Sequence, residues 1–356
     1  GDRDLQNTNM VKIFGKERFD FLFPDFTEDV EPIIPVGTPW DFEPTEIFSP
    51  DNHEIKNSYS VSLQDNYIEG IGSNNWAVSG SKTKNGYAIL CNDPHLGLNL
   101  PMIWYAQQLQ APGVNTFGVT VPGVPGLLLG FNDSIAWGAT NADRDLRDWY
   151  QISFRDDSND EYSYGGKWLK TQKIIETFKI RGQEDYIDTV VYTHYGPVVY
   201  DRSFMGDSNR VNLALKWTAH NTSVDFKAFY DLNRASNITQ ALEACKSLDC
   251  PPQNFALASR EGDIAQIVQG NYPLKWKEQG KFIMDGSDPN YEWQGYIPKE
   301  HNARIINPER GFISSANQHP FDSDYPYFYH SRNEEHFRNK RINSVLTASE
   351  GITIDD

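Results

Sequence analysis

A serine directly after a glycine opens the run Gly72-Ser73-Asn74-Asn75-Trp76-Ala77-Val78-Ser79-Gly80. Amide hydrolysis by a hydroxyl needs a nucleophile, a base for its proton, and donors for the tetrahedral oxyanion. A chain cut before Ser73 would supply the base from the same residue. A free α-amine titrates at about 7.7–8.0, close to what a base needs at neutral pH. Glycine at position 72 suits such a cut, because its uncrowded carbonyl is open to the Ser73 hydroxyl in an N-to-O shift. A polar turn also favours Gly-Ser, so the signal depends on the residues downstream.

Downstream lies an ordered set of blocks: Asn92-Asp-Pro-His-Leu-Gly97, Pro122-Gly-Val-Pro-Gly-Leu-Leu-Leu-Gly-Phe-Asn132 and Ile135-Ala-Trp-Gly-Ala-Thr-Asn141. Thr193-His-Tyr-Gly-Pro197, Leu215-Lys-Trp217, Gln253-Asn-Phe255 and Gly311-Phe-Ile-Ser-Ser-Ala-Asn317 come later. In these blocks and their order the chain resembles the penicillin acylases, a family of N-terminal nucleophile hydrolases. The resemblance runs from Asn9 to Arg341. It implies that residues 1–72 are the tail of an α-chain plus a spacer peptide, and that residues 73–356 are the N-terminal part of a β-chain. The chain is then a fragment of a longer precursor. The implied fold is α+β, the αββα sandwich of antiparallel sheets, incomplete here.

The resemblance also implies roles. Ser73 is the nucleophile and, through its amine, the base; Gly72 and Ser73 flank the self-cleaved bond. His95 positions the Ser73 amine and hydroxyl and holds substrate through its backbone. The Asn141 backbone N–H and the Asn317 side chain form the oxyanion hole. Arg338 orients the amine and substrate, with Arg341 the nearby alternative. Leu96, Leu128 and Leu129 fall at acyl-pocket positions, and three leucines suit an aliphatic or mixed acyl group. A structural Ca²⁺ is implied at Asp145, Asp148 and the Arg147 carbonyl, because closely spaced carboxylates suit a hard cation. Arg144 and Arg147 could instead neutralise that cluster, which also contains Asp143. No organic cofactor is implied. The substrate class is a linear N-acyl amide, either a penicillin-type β-lactam side chain or an N-acyl homoserine lactone. The processed partner is the protein's own α-chain. Two other readings stay open: a catalytically silent relative or inactive fragment acting as a binding module, and a sheet-rich structural or carbohydrate-binding domain.

Composition limits the other classes. A net charge of −17 over 356 residues argues against nucleic acid or an anionic membrane as partner. No apolar run reaches the length of a membrane span. The three cysteines, Cys91, Cys245 and Cys250, allow one bridge, Cys245–Cys250, or none. Acidity, few cysteines and the family's habits point to the periplasm or outside the cell. Ser79-Gly-Ser-Lys82 fits S-x-x-K but lacks its partner motifs, and no zinc-spaced His or Cys set exists.

The elements that must position these residues are mostly strands. Trp76–Gly80 and Tyr87–Cys91 read as a hairpin around Asn85-Gly86. Further strands are expected at 103–109, 116–120, 134–138, 149–154, 189–194, 212–216, 255–259 and 264–269. Helical spacing is present in Ile238, Ala241, Leu242, Cys245 and Leu248, and from Phe337 to Leu346. The proline-spaced residues 1–72 read as an extended arm and linker.

Overall fold

The hairpin that carries Ser73 forms as the alternation requires. β1 (Gly72–Val78) and β2 (Ile89–His95) pair antiparallel with Trp76 opposite Cys91. Their link is longer than a tight Asn-Gly turn, and β1 begins four residues earlier than its apolar part. The polar start Gly72–Asn75 joins the strand because partners elsewhere in the fold take up its hydrogen bonds. The structure is a computed structural model that describes residues 2–26, 31–50, 72–142, 145–200, 212–328 and 336–356. The polar spacer at 51–71, and Asp143 and Arg144, lie outside the described residues.

Two helices, α1 (Asp2–Phe14) and α2 (Lys16–Leu22), precede the hairpin. After it come β3 (Tyr105–Ala111), β4 (Val114–Thr120), β5 (Leu129–Asn132), β6 (Ile135–Asn141) and β7 (Arg147–Gln151). Then come β8 (Glu161–Tyr164), β9 (Lys167–Lys170), β10 (Gln172–Phe178), β11 (Tyr186–Thr193), β12 (Gly196–Tyr200) and β13 (Leu213–Trp217). Helices α3 (Phe226–Leu232) and α4 (Ile238–Cys245) lead to β14 (Gln253–Ser259), β15 (Ile264–Gln269), β16 (Met284–Asp285), β17 (Arg304–Ile306) and β18 (Phe312–Ser315). α5 (Phe337–Ala348) is last.

Four layers result. β18-β1-β2 form one sheet, and β17-β15-β14-β6-β5-β4-β3 form a second. Alternation along β1 sends Val78 into a cluster with Phe312 and Leu346 of α5, and sends Ala77 to the other side. There Ala77 meets Ala256, Ala258, Ile264 and Ile313 between the two sheets. These residues are mostly small, so the sheets approach closely. A Cβ on Gly138 in β6 would lie 2.5 Å from Asn92 Oδ1 in β2, so only glycine fits there. The far face of the large sheet carries Trp137, Phe255 and Ile267, and α4 covers it with Ala241, Cys245 and Leu248. This order, α5, sheet, sheet, α3 with α4, is the αββα sandwich. Cys245 is buried in that core, and Cys91, Cys245 and Cys250 are all free thiols.

The first 50 residues differ from the expected arm. α1 and α2 are helical, and the signal of α1 is hidden in the sequence because it buries polar as well as apolar side chains. Leu5 and Val11 are buried, but so are Asp4, Asn7 and Thr8. Asn7 donates to the Lys281 carbonyl at 3.0 Å and Thr8 accepts from the Ile283 N–H at 2.9 Å. A helix held this way shows no one-sided apolar stripe. Residues 31–50 are extended, and Ile33 and Ile34 donate to the carbonyls of His319 and Pro320.

A third sheet, β10-β11-β12-β13-β7-β16, stands beside the sandwich. Glu292 fastens it, accepting from His194 Nε2 at 2.7 Å and Lys216 Nζ at 2.8 Å. Burial alone would raise this carboxyl, but those two donors outweigh it and hold it near 2, below the usual 4.5. A carboxyl depressed by folding stabilises above its unfolded value and loses that contribution as pH falls through its folded one. Thermal unfolding should therefore show wild type losing more stability than Glu292→Gln between about pH 4.5 and 2.

Candidate active site

Ser73 is 6% exposed at the start of β1. Opposite it on β2 stands Pro94, which has no N–H to give. Ser73 accordingly turns its own N–H and C=O to the other side, toward β18. The β1–β18 register, Asn75 opposite Ser315, would bring residue 317 opposite Ser73. At that point the second strand leaves the sheet, with Asn317 at φ +67°. Asparagine tolerates this left-handed conformation better than most residues. Two side chains then continue the ladder. Asn317 Oδ1 accepts from the Ser73 N–H at 2.8 Å, and Arg338 Nη1 donates to the Ser73 carbonyl at 2.8 Å.

The Ser73 hydroxyl faces two donors. The Asn141 backbone N–H and Asn317 Nδ2 each lie 3.4 Å from Ser73 Oγ. Both donors therefore converge on the one hydroxyl oxygen. Asn317 Nδ2 also donates to the Asn141 carbonyl at 2.8 Å, so the two donors are fixed relative to one another. An asparagine at 141 is compatible with the site because its backbone makes these contacts.

Arg338, on the first turn of α5, also donates to Asn74 Oδ1 at 2.7 Å and to Asn317 Oδ1 at 3.1 Å. Arg341 is exposed on the same helix. Residue 72 must be small: a Cβ there would lie 3.1 Å from Arg338 Nη2 and 3.4 Å from Asn317 Oδ1.

His95 stands one link back. It is opposite Gly72 in the hairpin, and its Nε2 lies 3.2 Å from Asn74 Nδ2 and 2.8 Å from Asp93 Oδ2. One ring nitrogen serves one of these at a time: protonated it donates to Asp93, unprotonated it accepts from Asn74. Its side chain thus bears on Asn74, the partner of Arg338, rather than on the Ser73 hydroxyl.

A buried polar group behind the site belongs to the Gln253-Asn-Phe255 block, but no role is expected for it from the sequence. Asn254, the second residue of β14, is fully buried. Its Nδ2 lies 3.1 Å from Thr140 Oγ1, 3.3 Å from the Asn141 carbonyl and 3.4 Å from Ser315 Oγ. Thr140 and Ser315 join each other at 2.7 Å. This cluster ties β6, β14 and β18 together beside Asn141. An amide next to the apolar run Phe255–Ala258 is the available clue, since buried polar groups need partners. Asn254→Ala should cost roughly 1–3 kcal/mol of stability. It should also lower kcat more than it alters KM, which steady-state kinetics on a processed sample would read.

The remaining candidates lie apart from the serine cluster or on the surface. Leu96 is exposed after β2, Leu128 is half-buried, and Leu129 packs against the core cluster of Trp137 and Phe255. Lys82 of the S-x-x-K sequence pairs with Glu350 at 2.9 Å.

The calcium candidates sit near the third sheet. Arg147 opens β7 opposite Trp217, while Asp145 and Asp148 are buried. Between the two carboxylates lies Lys275 Nζ, 2.7 Å from Asp145 Oδ2 and 2.8 Å from Asp148 Oδ2. Burial pushes the Asp145 carboxyl well above the usual range. Among the described residues, no group of three or more His, Cys, Asp or Glu is arranged to hold a metal ion. What the described residues place between these two carboxylates is the Lys275 ammonium.

The four layers form the αββα fold of the N-terminal nucleophile hydrolases. Penicillin G acylase from Alcaligenes faecalis superposes with a TM-score of 0.70 at 23% identity, over 80% of this chain and 50% of that one. The chain belongs to the penicillin amidase family, whose profile matches residues 1–356. An acyl-homoserine lactone acylase of Pseudomonas aeruginosa is 30% identical over 264 residues, 71% of this chain and 31% of the relative. A penicillin acylase 2 proenzyme of Pseudomonas sp. strain SE83 is 29% identical over 81% of this chain and 37% of the relative. The chain thus spans about a third of the length of these curated relatives. No helix among the described residues is long and apolar enough to cross a membrane.

Proposed function

We propose that the protein is an amidohydrolase that matures by cutting its own Gly72–Ser73 bond and then hydrolyses linear N-acyl amides. One observation carries the reading: the Asn141 N–H and Asn317 Nδ2 converge on Ser73 Oγ at 3.4 Å each. In the uncut chain, Ser73 Oγ attacks the Gly72 carbonyl carbon. The acyl group passes from nitrogen to oxygen, the Ser73 amine is released, and water hydrolyses the ester. Residues 1–72 then end the α-chain side and residues 73–356 begin the β-chain.

In turnover the free Ser73 amine takes the hydroxyl proton as Oγ adds to the substrate carbonyl. The two asparagine donors hold the oxyanion. The ammonium returns its proton to the leaving amine, and the same amine activates water to release the acid. Asn317 Oδ1 accepts from the Ser73 nitrogen and keeps it aimed. The Arg338 guanidinium nearby disfavours a second positive charge, which helps keep the amine unprotonated and basic. The named relatives make penicillins and acyl-homoserine lactones the substrates to try first.

N-terminal sequencing of the purified full-length protein tests the first claim, with a chain beginning Ser-Asn-Asn-Trp expected. A panel of acyl amides, including a penicillin and long- and short-chain acyl-homoserine lactones, tests the second. A fully processed protein that turns over none of them would end the enzyme reading.

A further inference from the structure

A buried lysine is an odd neighbour for carboxylates expected to hold a metal. The Lys275 side chain is 0% exposed, as is that of Asp148. Its ammonium lies 2.9 Å from Asp148 Oδ1 and 2.8 Å from Oδ2, and 2.7 Å from Asp145 Oδ2. A calcium ion bound by the same oxygens would stand about 2.3–2.6 Å from each, in the space the ammonium fills. The second donor on Asp148 is also nitrogen: the Trp293 indole N–H, 2.5 Å from Oδ2. That indole lies 5.6 Å from the ammonium, within cation–π range.

The backbone fits this pair closely. Gly280 has φ +80°, and a Cβ there would lie 2.3 Å from Asp148 Oδ1 and 2.8 Å from Lys275 Nζ. Glycine at 280 therefore leaves room for the ion pair itself. Asp4 of α1 is buried within electrostatic reach of both Lys275 and Asp148. The cluster so joins the N-terminal helix, β7 and the segment before β16.

We infer that Lys275 is a built-in cation: its ammonium takes the place a divalent metal would hold between Asp145 and Asp148, and the protein is stable without calcium. A buried charge left without its partner is strongly destabilising. The lysine thus does by covalent attachment what a metal would do by binding, and chelators cannot remove it.

The test uses the whole purified protein, stripped with EGTA and then titrated with Ca²⁺. The expected result is no calorimetric binding and one melting temperature with or without the ion. Lys275→Met should melt roughly 10 °C lower, and Ca²⁺ should restore part of that loss by entering the vacated space. Tight one-to-one Ca²⁺ binding by wild type, or a fall in its melting temperature in EGTA, would overturn the inference. So would a Lys275→Met protein that melts like wild type without Ca²⁺. Should that variant not fold, the wild-type measurements still decide.

Discussion

Ser73→Ala is expected to leave the protein uncut at Gly72–Ser73 and to lower turnover about 10⁶-fold, the scale seen when a hydrolase loses its nucleophile. Loss of folding would not explain this. The Ser73 hydroxyl makes two contacts of 3.4 Å, at the outer limit of a hydrogen bond. Its backbone N–H and C=O, which make the shorter bonds to Asn317 and Arg338, remain in the variant. The melting temperature of an uncut Ser73→Ala protein should thus stay close to that of uncut wild type. Intact mass and melting temperature on one sample separate the outcomes. A variant that is cut as usual would show that Ser73 is not the self-cleaving group.

Asn317→Ala should have the next largest effect on rate. Removing one oxyanion donor lowers kcat about 10²–10³-fold, or about 2.7–4 kcal/mol. Asn317 does more than donate. Its Oδ1 accepts from the Ser73 N–H and from Arg338, so alanine also frees the nucleophile's nitrogen and the guanidinium. It must in addition adopt φ +67°, which costs a β-carbon-bearing residue about 1 kcal/mol or more. Two companions sort these contributions. Asn317→Gly removes the backbone cost but not the loss of both polar atoms. Asn317→Asp keeps an acceptor for Ser73 and Arg338, but replaces the donor with a carboxylate oxygen whose charge further opposes an oxyanion. All three should show lowered kcat with a smaller change in KM. An Asn317→Asp variant with wild-type kcat would remove the side chain from the oxyanion role.

How much of this is legible in the sequence varies by residue. The hairpin around Ser73 follows from alternation, although β1 starts earlier than its apolar residues suggest. β15 lies where it is expected, at 264–269, because Ile264, Ala265, Ile267 and Val268 stand out as apolar and mostly β-branched between turn residues. Gly72, Ser73, Asn141, Asn317 and Arg338 are marked by resemblance, and the fold brings them within hydrogen-bond reach. Choosing Arg338 over Arg341 needs the turn of α5, since residues three apart both remain candidates until the helix is placed. Asn254 is visible as a residue but not as a support, because its partners come from strands distant in sequence. Lys275 escapes for the same reason: 127 positions separate it from Asp148. α1 escapes because hydrogen bonds bury its polar face.

The continuation of the β-ladder by Asn317 and Arg338 has a consequence for dynamics. A chain end created by cleavage ordinarily frays, with opening free energies near zero. A Ser73 terminus would be held on one flank by β2 and on the other by these two side chains. Amide hydrogen exchange at Asn74 and Asn75 should then be slow, as in a strand interior, although both residues sit directly behind a free end. Cutting the chain would cost little local order. The nucleophile would enter its first turnover in the geometry it held before the cut.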